Sequence, residues 1–126
     1  GCIMFINFTN HPSAQWSAEQ KAAAQAYGEV IDLAFPAIDP AADEAALDSL
    51  ASAYAARILH MNPDAVLCQG EFTFVYRVVL RLEGAGIPVF AACSFRKSQE
   101  TISPDGSTLK QSVFVFTRFR RYGSPS

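Results

Sequence analysis

Apolar runs too continuous for a one-sided exposed strand recur along the chain, and segments of helical character separate them. They are "CIMFINF" (Cys2–Phe8), "EVIDLAFP" (Glu29–Pro36), "DAVLCQG" (Asp64–Gly70) and "IPVFAACS" (Ile87–Ser94). Strands that are apolar at successive positions are buried on both faces, which is the signature of a parallel sheet covered by helices on each side. The intervening segments fit that reading. "SAEQ" at Ser17–Gln20 has capping-box spacing, and the alanine-rich stretch after it stops at Gly28. Asp39 followed by Pro40 is read as the start of a second helix, with Leu47, Leu50, Tyr54, Ile58 and Met61 along one face. A third helix is predicted over "FTFVYRVVLRLEGAG", with Phe72, Val75, Val79 and Leu82 on one side.

After Ser94 the pattern changes. "RKSQETISPDGSTLKQ" has no helical period, and "SPDGS" is a turn signal, so a polar hairpin is expected to return into a final strand, "SVFVFTRF". The tail from Gly123 to Ser126 is expected to fray. The prediction is one α/β domain spanning 1–126, a three-layer Rossmann-like sandwich. Its sheet has five strands in the order 2-1-3-4-5, with the last antiparallel.

Composition narrows the function. With 126 residues, 50% hydrophobic and 17% charged, the chain is a single compact globule. A formal charge of −2 excludes a generally basic nucleic-acid coat, and no extended nucleic acid is expected as a partner. "RFRRY" (Arg118–Tyr122) is still open to two readings, a local basic and aromatic patch or a strand face in simple alternation. No run is long and apolar enough to span a membrane and no basic leader precedes a signal-like segment, so a cytoplasmic protein is expected. Cys2, Cys68 and Cys93 lack metal-site spacing and read as reduced, buried thiols.

In a sheet of this order, ligands bind at the carboxyl ends of the strands, at the switch point between the first and third. Three polar segments follow those ends: "NFTNHPS", "QGEFT" and "CSFRK". The connections at the other end, "HMNPD" and "EGAGIP", read as plain turns, and His60 as a helix-terminal surface residue. The candidate site is therefore Asn10, Ser13, Gln69, Gly70, Thr73, Ser94, Arg96 and Lys97 for ligand binding, with His11 and Glu71 as proton carriers.

Each of these has a plain structural alternative. Asn10 to Ser13 serve equally as turn residues, Gly70 as a tight strand-to-helix turn, and Glu71 as compensation for a helix dipole. Arg96 and Lys97 serve equally as a solvated loop pair, Trp16 as packing, and Cys93 as a core thiol. The glycine spacing matches neither a phosphate-binding loop nor a dinucleotide fingerprint, and no second histidine or thiol pair joins His11 to make a metal site. Neither a metal nor a cofactor is expected.

"FINFTNHPSAQWSAEQ", "DLAFPAIDP" and "PDAVLCQGEFTFVYRVV" resemble segments of small stand-alone CRISPR-associated proteins. Those proteins are related to the CARF-type Rossmann-like fold of type III CRISPR systems. The resemblance covers most of the chain and implies binding of a cyclic oligoadenylate second messenger, with metal-independent cleavage as in ring nucleases. It assigns no catalytic residue. A ligand ring of even symmetry suits a homodimer. The rival readings are a non-catalytic nucleotide sensor, or a nucleoside N-glycosidase or deoxyribosyltransferase using Glu71.

Overall fold

The structure, a computed structural model, describes residues 3–123. Cys2 and the tail beyond Gly123 lie outside that range. Five strands, β1 (Met4–Phe8), β2 (Glu29–Asp32), β3 (Ala65–Cys68), β4 (Val89–Ile102) and β5 (Thr108–Arg121), form one sheet in the order β2-β1-β3-β4-β5. The first four are parallel, and β5 runs antiparallel to β4. The helices are α1 (Ala18–Gln25), α2 (Glu44–Met61) and α3 (Phe72–Gly84). This is the predicted fold, and no helix among the described residues is long and apolar enough to cross a membrane.

Period-two alternation sorts the core into two layers. Ile6, Phe8, Val66, Cys68 and Val89 face α2 and α3, where they meet Ala51, Ala55, Ile58, Phe74, Val78 and Leu82. Phe5, Ala65, Leu67 and Phe90 face α1, where Trp16, Ala24 and Phe119 complete a smaller cluster. Val75, Val79 and Leu82 are buried on the predicted face of α3, but Phe72 is exposed and Phe74 takes its place in the core.

Several boundaries differ from those predicted. β2 stops at Asp32, four residues before Pro36, because the backbone N–H of Leu33 makes the last bond to β1, on the Asn7 carbonyl. The cap of α2 is Asp43 rather than Asp39: Asp43 Oδ1 accepts from Ala46 N at 2.8 Å. Asp39 instead closes a turn, accepting from Ala41 N at 2.9 Å, and Pro40 suits that turn as well as a first helical position. β3 is shorter at both ends than predicted.

The largest difference is in the extent of the expected hairpin: β4 does not stop at Ser94 but runs on, paired with β5, as one long ribbon. β4 pairs with β3 only at Val89 and Phe90, then continues to Ile102 with β5 as its sole partner. Ser94, Arg96 and Lys97 therefore lie within a strand, not in a loop after its end. The turn at the tip fixes the register: Ser103 N donates to Ser107 O at 2.8 Å, and Gly106 adopts φ +86°. At the other end Arg121 and Glu83 form an ion pair at 2.8 Å, and Glu83 also accepts from Val89 N.

Candidate functional site

Asn7 organises the loop that follows β1. It is 1% exposed, donates from Nδ2 to His11 O at 2.9 Å and to Asp32 Oδ1 at 3.0 Å, and accepts from Thr9 Oγ1 at 2.8 Å. His11 N donates to Thr9 Oγ1, and Ser13 N donates to the Asp32 carboxylate at 3.2 Å. A buried asparagine with its hydrogen bonds satisfied fixes backbone geometry at little cost. The path of the loop is thereby set, and the His11 side chain stays out of this network.

That path opens a cavity of about 270 Å³ at the switch point. Leu67 of β3 contributes an apolar wall; Thr9, His11, Trp16 and Gln20 line the side next to the β1 loop and α1. Gln69, Ala92, Ser94 and Phe114 complete it from β3, β4 and β5. Gln69 Oε1 accepts from Ala92 N at 3.1 Å, which fixes the amide orientation and turns its NH2 group away as a donor. Arg96 is two residues beyond Ser94 on the same ribbon face, its guanidinium carbon 5.9 Å from the centre of the Phe114 ring. Among the described residues, His11 is the only ionisable side chain lining this cavity.

Of the predicted residues, this cavity brings together His11, Gln69 and Ser94, with Arg96 beyond its Phe114 rim. The others go elsewhere. Asn10 lines a second cavity of about 370 Å³ with Pro12, Asp32 and Phe35. Ser13 begins a single 3-10 turn, Ser13–Gln15. Gly70 is where the Phe35 ring packs: a Cβ there would clash with Phe35 Cζ. Lys97 faces the opposite side of the ribbon from Arg96.

Glu71 and Thr73 lie on the far side of the sheet, in a cavity with Asp39, Glu44 and Arg77 between α2 and α3. Glu71 caps α3, accepting from Thr73 N at 3.1 Å and Phe74 N at 2.9 Å. The Thr73 hydroxyl and these amides hold its carboxyl below the usual range. Its carboxylate therefore occupies the helix N-terminus that a phosphate would need, and it is remote from His11. Replacing Glu71 by Ala should destabilise the fold by about 1 kcal/mol, the typical worth of an N-cap, in a denaturant melt. A lowered folded-state value means this contribution is complete above the unfolded value of about 4.3 and disappears as pH falls through the folded one. The loss on mutation should accordingly shrink in acid.

Gln20, Asp32 and Phe114 are not among the predicted site residues. Gln20 follows Trp16 by four residues, and Asp32 ends an apolar strand, both usable signals. Phe114 is placed only by the ribbon register, Arg96 opposite Phe114. Trp16 is 9% exposed and packs edge-on against Phe5, so its packing role holds while it also walls the cavity. Cys68 is buried, and burial pushes its thiol up to about 12. Cys93, expected to be buried, is partly exposed on the ribbon.

A family model described as the uncharacterized protein MJ1673 family matches residues 3–120. No curated protein and no solved structure matches the chain.

Proposed function

The chain belongs to the uncharacterized protein MJ1673 family, and from the switch-point cavity we propose that it binds a nucleotide there, with a cyclic oligoadenylate as ligand and His11 as the proton carrier in its cleavage. The observation behind this reading is the pairing of two aromatic rings, Trp16 and Phe114, with two amide side chains, Gln20 and Gln69, around one base-sized space. A purine needs π-faces for stacking and donors and acceptors for its edge. The guanidinium of Arg96 next to Phe114 supplies charge for a phosphate attached to that base.

Cleavage of such a ring uses a ribose 2'-oxygen as nucleophile on the adjacent phosphorus. The new O–P bond forms as the bond to the 5'-oxygen breaks, leaving a 2',3'-cyclic phosphate and a free 5'-hydroxyl. His11 would accept the 2'-hydroxyl proton, and the departing 5'-oxygen would take one up from the imidazolium so formed or from water. Arg96 and the Gln69 NH2 would bear on the developing phosphorane charge. Glu71 has no part in this scheme, and a glycosidase reading that relies on it is disfavoured by its capping role. The proposed setting is cytoplasmic.

Incubation with cyclic tetra- and hexaadenylate, followed by mass spectrometry, tests the reading. Linear products with 2',3'-cyclic phosphate ends are expected. Gln69→Ala and Arg96→Ala should each weaken binding about ten- to a hundredfold, the worth of one charge-assisted contact. His11→Ala should leave binding intact and slow turnover by about a hundredfold or more. Intact ligand with saturable binding makes the protein a sensor, and no binding of either ring overturns the proposal.

A further inference from the structure

The "RFRRY" segment (Arg118–Tyr122) does not line the His11 cavity. Alternation splits it. Phe119 is buried on the α1 side against Phe5, Trp16 and Phe90, so Arg118 and Arg120 stand on the α3 side, where both are exposed. Arg121 is tied to Glu83. Tyr122 extends the ladder, its N–H donating to Val89 O at 2.9 Å, and its hydroxyl donates to Cys68 O at 2.7 Å. That second bond holds the ring across β4 while the residue stays 43% exposed, which makes it a fixed and open aromatic surface.

The ribbon continues this face. The register sets Arg120 opposite Ala91 and Arg118 opposite Cys93, and Phe95 and Lys97 follow at the next two alternate positions of β4. The file Tyr122, Arg120, Arg118, Phe95, Lys97 runs for about 26 Å, at roughly 3.3 Å per residue from the level of Val89 to that of Lys97. Phe95 is 53% exposed, and among the described residues Arg118, Arg120 and Lys97 make no salt bridge. At its Tyr122 end the file meets a groove of about 400 Å³, lined by that ring together with Phe72, Tyr76 and Leu80 of α3.

Charge is divided in the same way. Residues 1–90 carry four Lys and Arg against ten Asp and Glu, a net of −6, while residues 91–126 carry six against two, a net of +4. The whole-chain charge of −2, from which no extended nucleic acid is expected, averages over these two parts. The local field on the ribbon has the opposite sign.

We propose that this face binds single-stranded nucleic acid, with Arg120, Arg118 and Lys97 on phosphates and bases stacked on Phe95 and in the groove beside Tyr122. Unpaired cations interleaved with open rings suit an unpaired strand, in which every phosphate carries charge and every base has a π-face. A duplex hides its base faces, and an acidic protein segment would match the cations but leave the rings uncovered. None of these contacts needs a 2'-hydroxyl, so RNA and DNA strands are bound alike. The face lies on the other side of the sheet from the His11 cavity, so it stands or falls separately from cyclic-nucleotide binding.

Fluorescence anisotropy of the full chain with a fluorescein-labelled oligouridylate of about twelve nucleotides is the test, a length within the site sizes of single-strand binders. Saturable binding is expected, with log affinity falling against log salt at a slope of about −2, or about 0.7 for each of three phosphates. Arg118→Ala and Arg120→Ala should each flatten that slope by about 0.7. Phe95→Ala should weaken binding about five- to a hundredfold, the worth of one stacked base, at unchanged slope. Lys110→Ala removes an equal charge from the opposite ribbon face and should change little. All four side chains are exposed, so circular dichroism and the melting temperature should stay near the parent's. A parent that does not bind overturns the proposal and leaves the face to an acidic protein. Binding that Lys110→Ala weakens as much as Arg118→Ala, or a duplex bound as tightly as the single strand, overturns it too.

Discussion

Phe8→Ala should destabilise the fold by about 3–5 kcal/mol, a large part of the 5–15 kcal/mol that holds an ordinary domain together. Phe8 is fully buried at the end of β1, where its ring stacks on Tyr54 at 5.4 Å and meets Phe35 at 5.0 Å and Phe74 at 6.2 Å. Those three partners come from the β2–α2 connection, α2 and α3. Truncation would leave a cavity that the three remaining rings cannot collapse without moving two helices. Urea denaturation monitored by circular dichroism measures the loss. A cost under about 1 kcal/mol would mean that the aromatic cluster is loose. Because Phe8 directly precedes Thr9, the His11 loop should also lose definition in this variant.

Gly70→Val carries the next largest effect, about 1–3 kcal/mol from overpacking, with more if Phe35 is driven out of the cluster. The cause is one contact: the added Cβ would fall within the Phe35 ring's volume. Phe35→Ala should therefore relieve most of the Gly70→Val penalty, and the double-mutant cycle should show a coupling of at least about 1 kcal/mol. The sequence offered a second reason for this glycine, close approach of a phosphate. Under that reading Gly70→Ala would spoil ligand binding at unchanged stability and Phe35→Ala would rescue nothing, so the cycle separates the two.

These two positions show where sequence reading succeeds and where it stops. Doubly apolar runs such as "CIMFINF" and "AVLC" identify buried parallel strands, because few other environments tolerate them, and the strand order follows from handedness and chain length. The edge that collects polar residues follows in turn. Which face of the sheet each residue takes does not follow. Gln69 and Glu71 are two positions apart, yet one lines the His11 cavity and the other caps α3 beside the cavity between α2 and α3. Arg96 and Lys97 are adjacent and point to opposite sides, which a loop reading hides and a strand reading requires. The hairpin is legible from its turn, but composition masks the length of its first strand. "RKSQETI" has too little apolar content to signal a strand, and its order derives from cross-strand bonding set by the "SPDGS" turn, not from burial.

The two-rung junction between β3 and β4 gives the sheet an uneven cooperativity. β1 and β3 join residues some sixty positions apart, so their pairing must wait for two long crossovers to close, a slow and all-or-none event. The outer rungs of β4 and β5 link neighbours across a five-residue turn and can zip or open within microseconds. Amide protons of Val66 and Leu67 therefore report on unfolding of the whole domain, whereas those near Gln99 and Gln111 report only on fraying of the ribbon. The same chain thus contains one region that is ordered by its own core and another whose order is left to whatever it rests against.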